Sequence, residues 1–303
     1  MKPVPARLPD FLPAPLARAL AGAERAVTTL DGVQTVWHLW GPAQAPAVVL
    51  LHGGSGSWTH WVRNIAPLHQ AGWRVLVPDL PGFGDSDLPP GCTDVPHLPV
   101  HLHAGLQQLA PRGPVQVVGF SFGGMTGALW LTEFPQDAQA LVLVGAPGLG
   151  LTVSERIPLK GWRHLTDPEQ QNQVHRHNLM AMMLRELDSL DALALALHAA
   201  NVARDRMPRR RLSGTPIVAE ALPRLQARLS AIYGEHDALY RERLAEVRLA
   251  LPQWAPHWGG WHTIAQAGHW VMYERAEAFN AALIAELDSH PSSPSESGVL
   301  KTR

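Results

Sequence analysis

The 303-residue chain has one cysteine, Cys92. A lone thiol cannot close an internal disulfide, which fits a reducing compartment. Charge of one sign is also missing: 25 Lys and Arg stand against 26 Asp and Glu, a formal net charge of -1. Such a balance supplies no field for gathering nucleic acid or an anionic membrane, so neither is expected as a partner. Long apolar runs are absent too. Nowhere do about 18 apolar residues pass without a charge or a helix breaker, and a membrane span is not expected. Pro3, Pro5 and Pro9, followed by Asp10, Arg18 and Glu24, interrupt the N-terminal segment before an apolar signal-peptide core develops. The expectation is a soluble cytoplasmic protein acting on a small molecule. Its oligomeric state is left open, a homodimer included.

Against these absences stands one dense feature. Val115-Gln116-Val117-Val118 is a β-like apolar run that ends in Gly119-Phe120-Ser121-Phe122-Gly123 and opens at once into a helical pattern. A serine on a sharp strand-to-helix turn needs small neighbours, because side chains at 119 or 123 would strike adjacent elements. The turn lifts the Ser121 hydroxyl clear of the sheet. It also leaves the Phe122 N–H at the positive end of the next helix, where a developing oxyanion can be held.

The rest of the chain alternates short apolar runs with helical segments. Residues 26–40 read as a hairpin turned at Asp31-Gly32, and buried strands are expected at 47–51, 74–78, 115–119, 140–145, 229–234 and 263–267. Helices are expected at 61–70, 100–110, 122–134, 239–251 and 274–287. The pattern predicts an α/β fold with a mostly parallel central sheet flanked by helices, whose ligand-binding loops gather at the carboxyl ends of the strands. Residues 1–25 read as an N-terminal extension, and 26–148 with 224–288 as the core. Residues 149–223 contain no β-like run and read as an inserted, mainly helical cap. Residues 289–303, with Ser-Ser-Pro-Ser-Glu-Ser, are too polar to pack and read as a disordered tail.

A serine hydroxyl needs a base, and the base needs a carboxylate to hold it. Asp237, in Tyr-Gly-Glu-His-Asp, follows the 229–234 strand; His269, in Ala-Gly-His-Trp, follows the last strand. Glu235 competes for the acid role but falls in the turn. His97, His101 and His103 find no Cys or carboxylate to complete a metal set, so neither a metal nor an organic cofactor is expected. His52 is read as shaping the glycine loop that follows it. In that loop Gly53 and Gly54 allow a backbone N–H, that of Gly54 with Ser55 as runner-up, to meet the same oxygen as Phe122.

His52-Gly53-Gly54, Asp79-Leu80-Pro81-Gly82-Phe83-Gly84-Asp85-Ser86, the Gly119–Gly123 elbow, Gly234-Glu235-His236-Asp237 and Gly268-His269-Trp270 together resemble the α/β-hydrolase fold superfamily over nearly the whole chain. The resemblance implies Ser121 as nucleophile, His269 as base and Asp237 as orienting acid. Within that superfamily Gly268-His269-Trp270, Glu274, Phe279-Asn280 and the segment 61–64 look like the meta-cleavage product hydrolases, which break a carbon–carbon bond in ring-opened aromatics. Those enzymes usually carry a longer Gly-Gly-Gly-Pro-Gly loop than residues 52–57 provide. A carboxylesterase-like serine hydrolase acting on a small or medium ester, aromatic esters and lactones included, is therefore the first reading. C–C hydrolysis is the second, and a ligand receptor on a hydrolase scaffold the third.

In the cap, Met180, Met182, Met183, Leu184 and Leu187 could line a helix face over the serine, with core packing the default. The run Arg204-Asp205-Arg206-Met207-Pro208-Arg209-Arg210-Arg211 reads as a solvated surface. Arg204, Arg206 and Trp270 are the candidate substrate contacts, an arginine reaching inward to a substrate carboxylate.

Overall fold

A computed structural model describes residues 3–111, 113–152 and 157–289. Nine strands form one sheet: β1 (Val4–Pro5), β2 (Glu24–Leu30), β3 (Val33–Trp40), β4 (Ala47–Leu51), β5 (Arg74–Pro78), β6 (Val115–Phe120), β7 (Ala138–Val144), β8 (Arg228–Gly234) and β9 (Trp258–Ile264), in the order β1-β2-β3-β5-β4-β6-β7-β8-β9. The pairs from β1 to β5 are antiparallel, and those from β5 through β4 and β6 to β9 are parallel. The β2–β3 hairpin turns at Asp31-Gly32, both with positive φ, as the Asp-Gly pair predicts.

Alternation along the strands divides the interior into two layers. Val117, Leu141 and Leu143 pack on one face of the sheet with Met125 and Trp130. Val118, Val142 and Val144 pack on the other with Trp61, Leu68 and Phe279. The first face carries α3 (Pro99–Leu109), α4 (Phe122–Glu133) and α8 (Leu244–Trp254); the second carries α2 (Ile65–Gln70) and α10 (Ala276–Asp288), preceded by the short α9 (Val271–Glu274). Helix α1 (Ala14–Ala19) lies in the N-terminal segment, whose residues Val4–Pro5 add the edge strand β1. Between β7 and β8 the chain makes α5 (Pro168–Asn178), a π-helical turn at Leu179–Met183, α6 (Ala192–Ala203) and α7 (Ile217–Ala221), with no strand among the described residues.

Two expectations shift. The helix expected over 61–70 divides into a 3-10 turn at Trp58–Trp61 and α2, because Pro67 in the first turn of α2 has no N–H to carry the helical ladder back into the preceding turn. The last strand runs over Trp258–Ile264 rather than 263–267: it pairs in parallel with β8 along its length, and Arg228 of β8 donates to Gly259 O at 2.9 Å. The tail beyond Ser289 lies outside the described residues.

Below the antiparallel half of the sheet, His38 is buried between Trp40 and Trp58, and neither ring nitrogen has a hydrogen-bond partner among the described residues. Burial lowers its pKa from 6.5 to about 4, against the opposing pull of the Asp85 carboxylate. The folded protein therefore holds His38 neutral where the unfolded chain would take a proton. Its contribution to stability is complete above pH 6.5 and is lost as pH falls towards 4. Replacing His38 with Phe should reduce the slope of unfolding free energy against pH in that window by about one proton, measured by denaturant titration at a series of pH values.

Candidate active site

The elbow forms where β6 runs into α4. Ser121 has φ 51° and ψ -117°, a strained conformation for a residue with a side chain. The crowding foreseen at its neighbours is present: a Cβ on Gly119 would lie 2.5 Å from Gly123 O, and one on Gly123 would lie 2.4 Å from Leu51 O. The packing of α4 against β4 and β6 thus depends on both glycines, and it aims the Ser121 hydroxyl away from the sheet.

Three strand ends bring three side chains together. Ser121 Oγ lies 2.9 Å from His269 Nε2, and His269 Nδ1 lies 3.0 and 2.9 Å from the two carboxylate oxygens of Asp237. The carboxylate can only accept, so Nδ1 carries the proton and Nε2 is free to accept from the serine. All three residues are buried, Ser121 the least at 7% exposed. Asp237 is held in turn by the Leu239 N–H at 2.9 Å. Glu235 points elsewhere: its half-exposed carboxylate accepts from Gln266 N, closing the turn. Gly145, at the end of β7 with φ 55°, passes directly beneath this pair. A Cβ there would stand 2.9 Å from Asp237 Oδ2 and 3.1 Å from His269 Nδ1.

The glycine loop after β4 is shaped by two histidines. His52 bridges it to the next loop, donating from Nδ1 to Gly53 O at 2.8 Å and accepting from Leu80 N at 2.9 Å. Burial keeps it neutral, with a pKa lowered to about 4. His60 accepts the Gly53 N–H at 3.2 Å, so that donor is spent within the loop, and burial also depresses this imidazole well below its ordinary value. Gly54 comes next, beside Ser55, whose φ is 52°. Gly54, Ser55 and Phe122 line the same cavity as Ser121 and His269.

That cavity, of about 730 Å³, lies between the sheet edge and the cap. Phe120, Phe122, Met125, Trp162, Met182 and Met183 give it apolar walls, and His60 and His198 add polar ones. His198 lies next to His175, and burial lowers its pKa to about 4, so it is neutral near pH 7. Leu187, by contrast, is 70% exposed and takes no part.

Three expected substrate contacts are corrected by their surroundings, since none of them lines the cavity. Arg204 faces outwards and pairs with Asp85 at 2.9 Å. Arg206 spends its guanidinium on the carbonyls of Phe83, Gly84 and Ser86. Trp270 is 1% exposed; it donates to His60 O at 3.1 Å and stacks on Tyr273. Of the Arg204–Arg211 run, Arg210 is the arginine that reaches the cavity, and Arg163 lines it from elsewhere in the cap. Arg209 and Arg211 remain exposed, as a solvated surface requires.

Residues that sequence reasoning gave no chemical role prove to tie the site together. The buried Glu274 accepts the N–H groups of Arg185, Glu186 and Gly268 at 2.8, 2.7 and 2.6 Å, joining the cap to the His269 loop. Asn64 donates to Met272 O and to Asn280, linking the start of α2 to the same region.

A family model for the α/β-hydrolase fold matches residues 46–276. The chain belongs to the α/β-hydrolase fold family. Among curated relatives of this hydrolase, 2-hydroxy-6-oxo-6-phenylhexa-2,4-dienoate hydrolase of Burkholderia cepacia is 28% identical over 258 residues, covering 80% of this chain and 88% of that one. A 2-hydroxy-6-oxononadienedioate/2-hydroxy-6-oxononatrienedioate hydrolase of Escherichia coli is 27% identical over 252 residues, covering 78% and 85%. Among solved structures, an esterase from a Rhodococcus species superposes with a TM-score of 0.72 at 20% identity, covering 88% of this chain and 98% of that one. That likeness bears on the fold. No helix among the described residues is long and apolar enough to cross a membrane.

In this hydrolase the close approach of Gly145 makes a sharp test. Gly145→Ala should lower kcat by about 10²-fold, because the added methyl must displace either His269 or Asp237 by a fraction of an ångström or more. Steady-state kinetics beside a thermal melt will separate this from unfolding.

Proposed function

We propose that the protein is a serine hydrolase that cleaves carboxylic esters of small to medium size, aromatic esters included, through an acyl-enzyme on Ser121. The observation that carries the reading is the continuous relay from Asp237 through His269 to Ser121, opening into the cavity beneath the cap. His269 Nε2 takes the serine proton as Oγ attacks the ester carbonyl. The negative charge that develops on the carbonyl oxygen is held by the N–H groups of Gly54 and Phe122. His269 then passes its proton to the departing alcohol, and in the second half-reaction activates a water that releases the acid. Asp237 keeps Nδ1 protonated throughout and stabilises the imidazolium as it forms.

Part of the cavity wall is uncharged, while Lys160 and Arg163 also line it. His60 and His198 are neutral near pH 7, and Arg210 is already paired with Asp205 at 3.1 Å. A second reading, hydrolysis of a carbon–carbon bond in a ring-opened dienoate, is favoured by the relatives whose names describe that reaction.

The two readings separate in one assay. The protein is incubated with p-nitrophenyl esters of graded acyl length and, in parallel, with a ring-opened 2-hydroxy-6-oxo-dienoate, with Ser121→Ala as control. Ester turnover that Ser121→Ala lowers by 10⁴-fold or more is the expected result. Turnover of the dienoate alone would replace the esterase reading with C–C hydrolysis. Turnover of neither would point to a receptor on a hydrolase scaffold.

A further inference from the structure

We propose that Asp205 and Arg210 are positioning residues: from the cap they latch the glycine loop so that its N–H groups face the carbonyl oxygen of the substrate. The proposal rests on the reading of Gly54 and Phe122 as oxyanion donors.

The latch is a closed network. Ser55 Oγ donates to Asp205 Oδ2 at 2.5 Å and accepts from Arg210 Nη2 at 3.1 Å. Arg210 Nη1 lies 3.1 Å from each oxygen of Asp205 and also donates to Met207 O. The remaining contact to the carboxylate is the Met207 N–H at 2.7 Å. Asp205 and Arg210 side chains are only 5% and 18% exposed, so these are charge-assisted bonds shielded from water, strong and demanding in geometry.

The position of this network ties it to catalysis rather than to packing alone. Ser55 holds φ 52°, a conformation that costs a residue with a side chain about 1 kcal/mol or more and that relaxes unless its surroundings enforce it. The enforcing contacts come from residues 150 and 155 positions away in the chain. Arg210 also touches both donor residues. Its Nη2 lies 3.0 Å from where a Cβ on Gly54 would stand, and its guanidinium lies 5.3 Å from the centre of the Phe122 ring. At the other end of the loop Ser57 Oγ donates to the buried Asn201 at 2.7 Å, so the cap grips the loop on both sides of Gly56. The glycine loop is thus complete only with the cap seated. Because Asp205 neutralises Arg210, the pair sets geometry without bringing a free cation to the substrate.

The test compares Arg210→Ala, Ser55→Ala and Arg204→Gln with wild type, on a p-nitrophenyl ester and on an arylboronic acid that forms a tetrahedral adduct with the active serine. Arg204→Gln breaks a cap-to-core bond that does not touch the loop. Arg210→Ala and Ser55→Ala should each lower kcat by about 10²-fold with KM within a few-fold, and weaken the boronic acid by a similar factor. Arg210→Lys should restore part of the loss, and Arg204→Gln should leave kcat close to wild type. Ser55→Ala keeps the Asp205–Arg210 pair, so it reads the latch even if Arg210→Ala fails to fold.

Wild-type kcat and boronic acid affinity in both Ser55→Ala and Arg210→Ala would overturn the proposal. So would an equal loss in Arg204→Gln, which would mean general loosening of the cap, or a rise in KM confined to anionic esters, which would mean that Arg210 binds substrate. Ser121→Ala separates the two levels: if it retains ester turnover, the reading of the site fails, whereas an inactive Ser121→Ala beside normal latch variants removes the latch alone.

Discussion

The site depends on one strained turn. Ser121 sits at φ 51° because β6 must end and α4 must begin within a single residue, with Gly119 and Gly123 pressed against the backbone of the turn and of β4. Strain of this kind costs about 1–3 kcal/mol and persists only where the surroundings over-determine it. Here they do so through the two apolar layers that clamp β6 between β4 and β7. The reward is direction. The hydroxyl is held at hydrogen-bond distance from His269 with no side-chain capping bond to its own helix.

A second constraint follows from burial. His52, His60 and His198 are all driven towards the neutral form, which lets His52 and His60 act as hydrogen-bond brackets for the glycine loop. An imidazolium at either place could not accept the N–H that it now receives. The cap joins the core through carboxylates: Glu274 takes the N–H groups of Arg185, Glu186 and Gly268, Asp94 those of Arg211 and Leu212, and Asp205 the Ser55 hydroxyl. Each ties a cap segment to a core residue at or near the cavity, so the cap belongs to the geometry of the site as well as to its roof.

The sheet, the elbow and the convergence of Ser121, Asp237 and His269 were legible because they follow from local rules: apolar runs of strand length, glycines where a Cβ would clash, and polar residues just beyond strand ends. The choice of Asp237 over Glu235 rested on position in the turn, and it is Asp237 that lies 2.9 Å from His269. What could not be read was tertiary in origin. The early start of β9 at Trp258 depends on its pairing with β8, with Arg228 donating to Gly259 O. Arg204, Arg206 and Arg210 are equivalent in sequence and differ only in which carbonyl or carboxylate the fold puts within reach. Trp270, adjacent to His269, is turned inwards and stacks on Tyr273. His60 carried a faint signal, since it follows the glycine loop closely, but its bond to Gly53 depends on how the 3-10 turn folds back.

The central claim is covalent chemistry at Ser121, and the most direct measurement is mass spectrometry of the protein quenched in acid within the first turnovers of a p-nitrophenyl ester. The account predicts a mass increase equal to the acyl group, confined to the peptide that contains Ser121 and absent from the Ser121→Ala protein. Turnover of the ester with no adduct on that peptide, or with the acyl group on another residue, would contradict it.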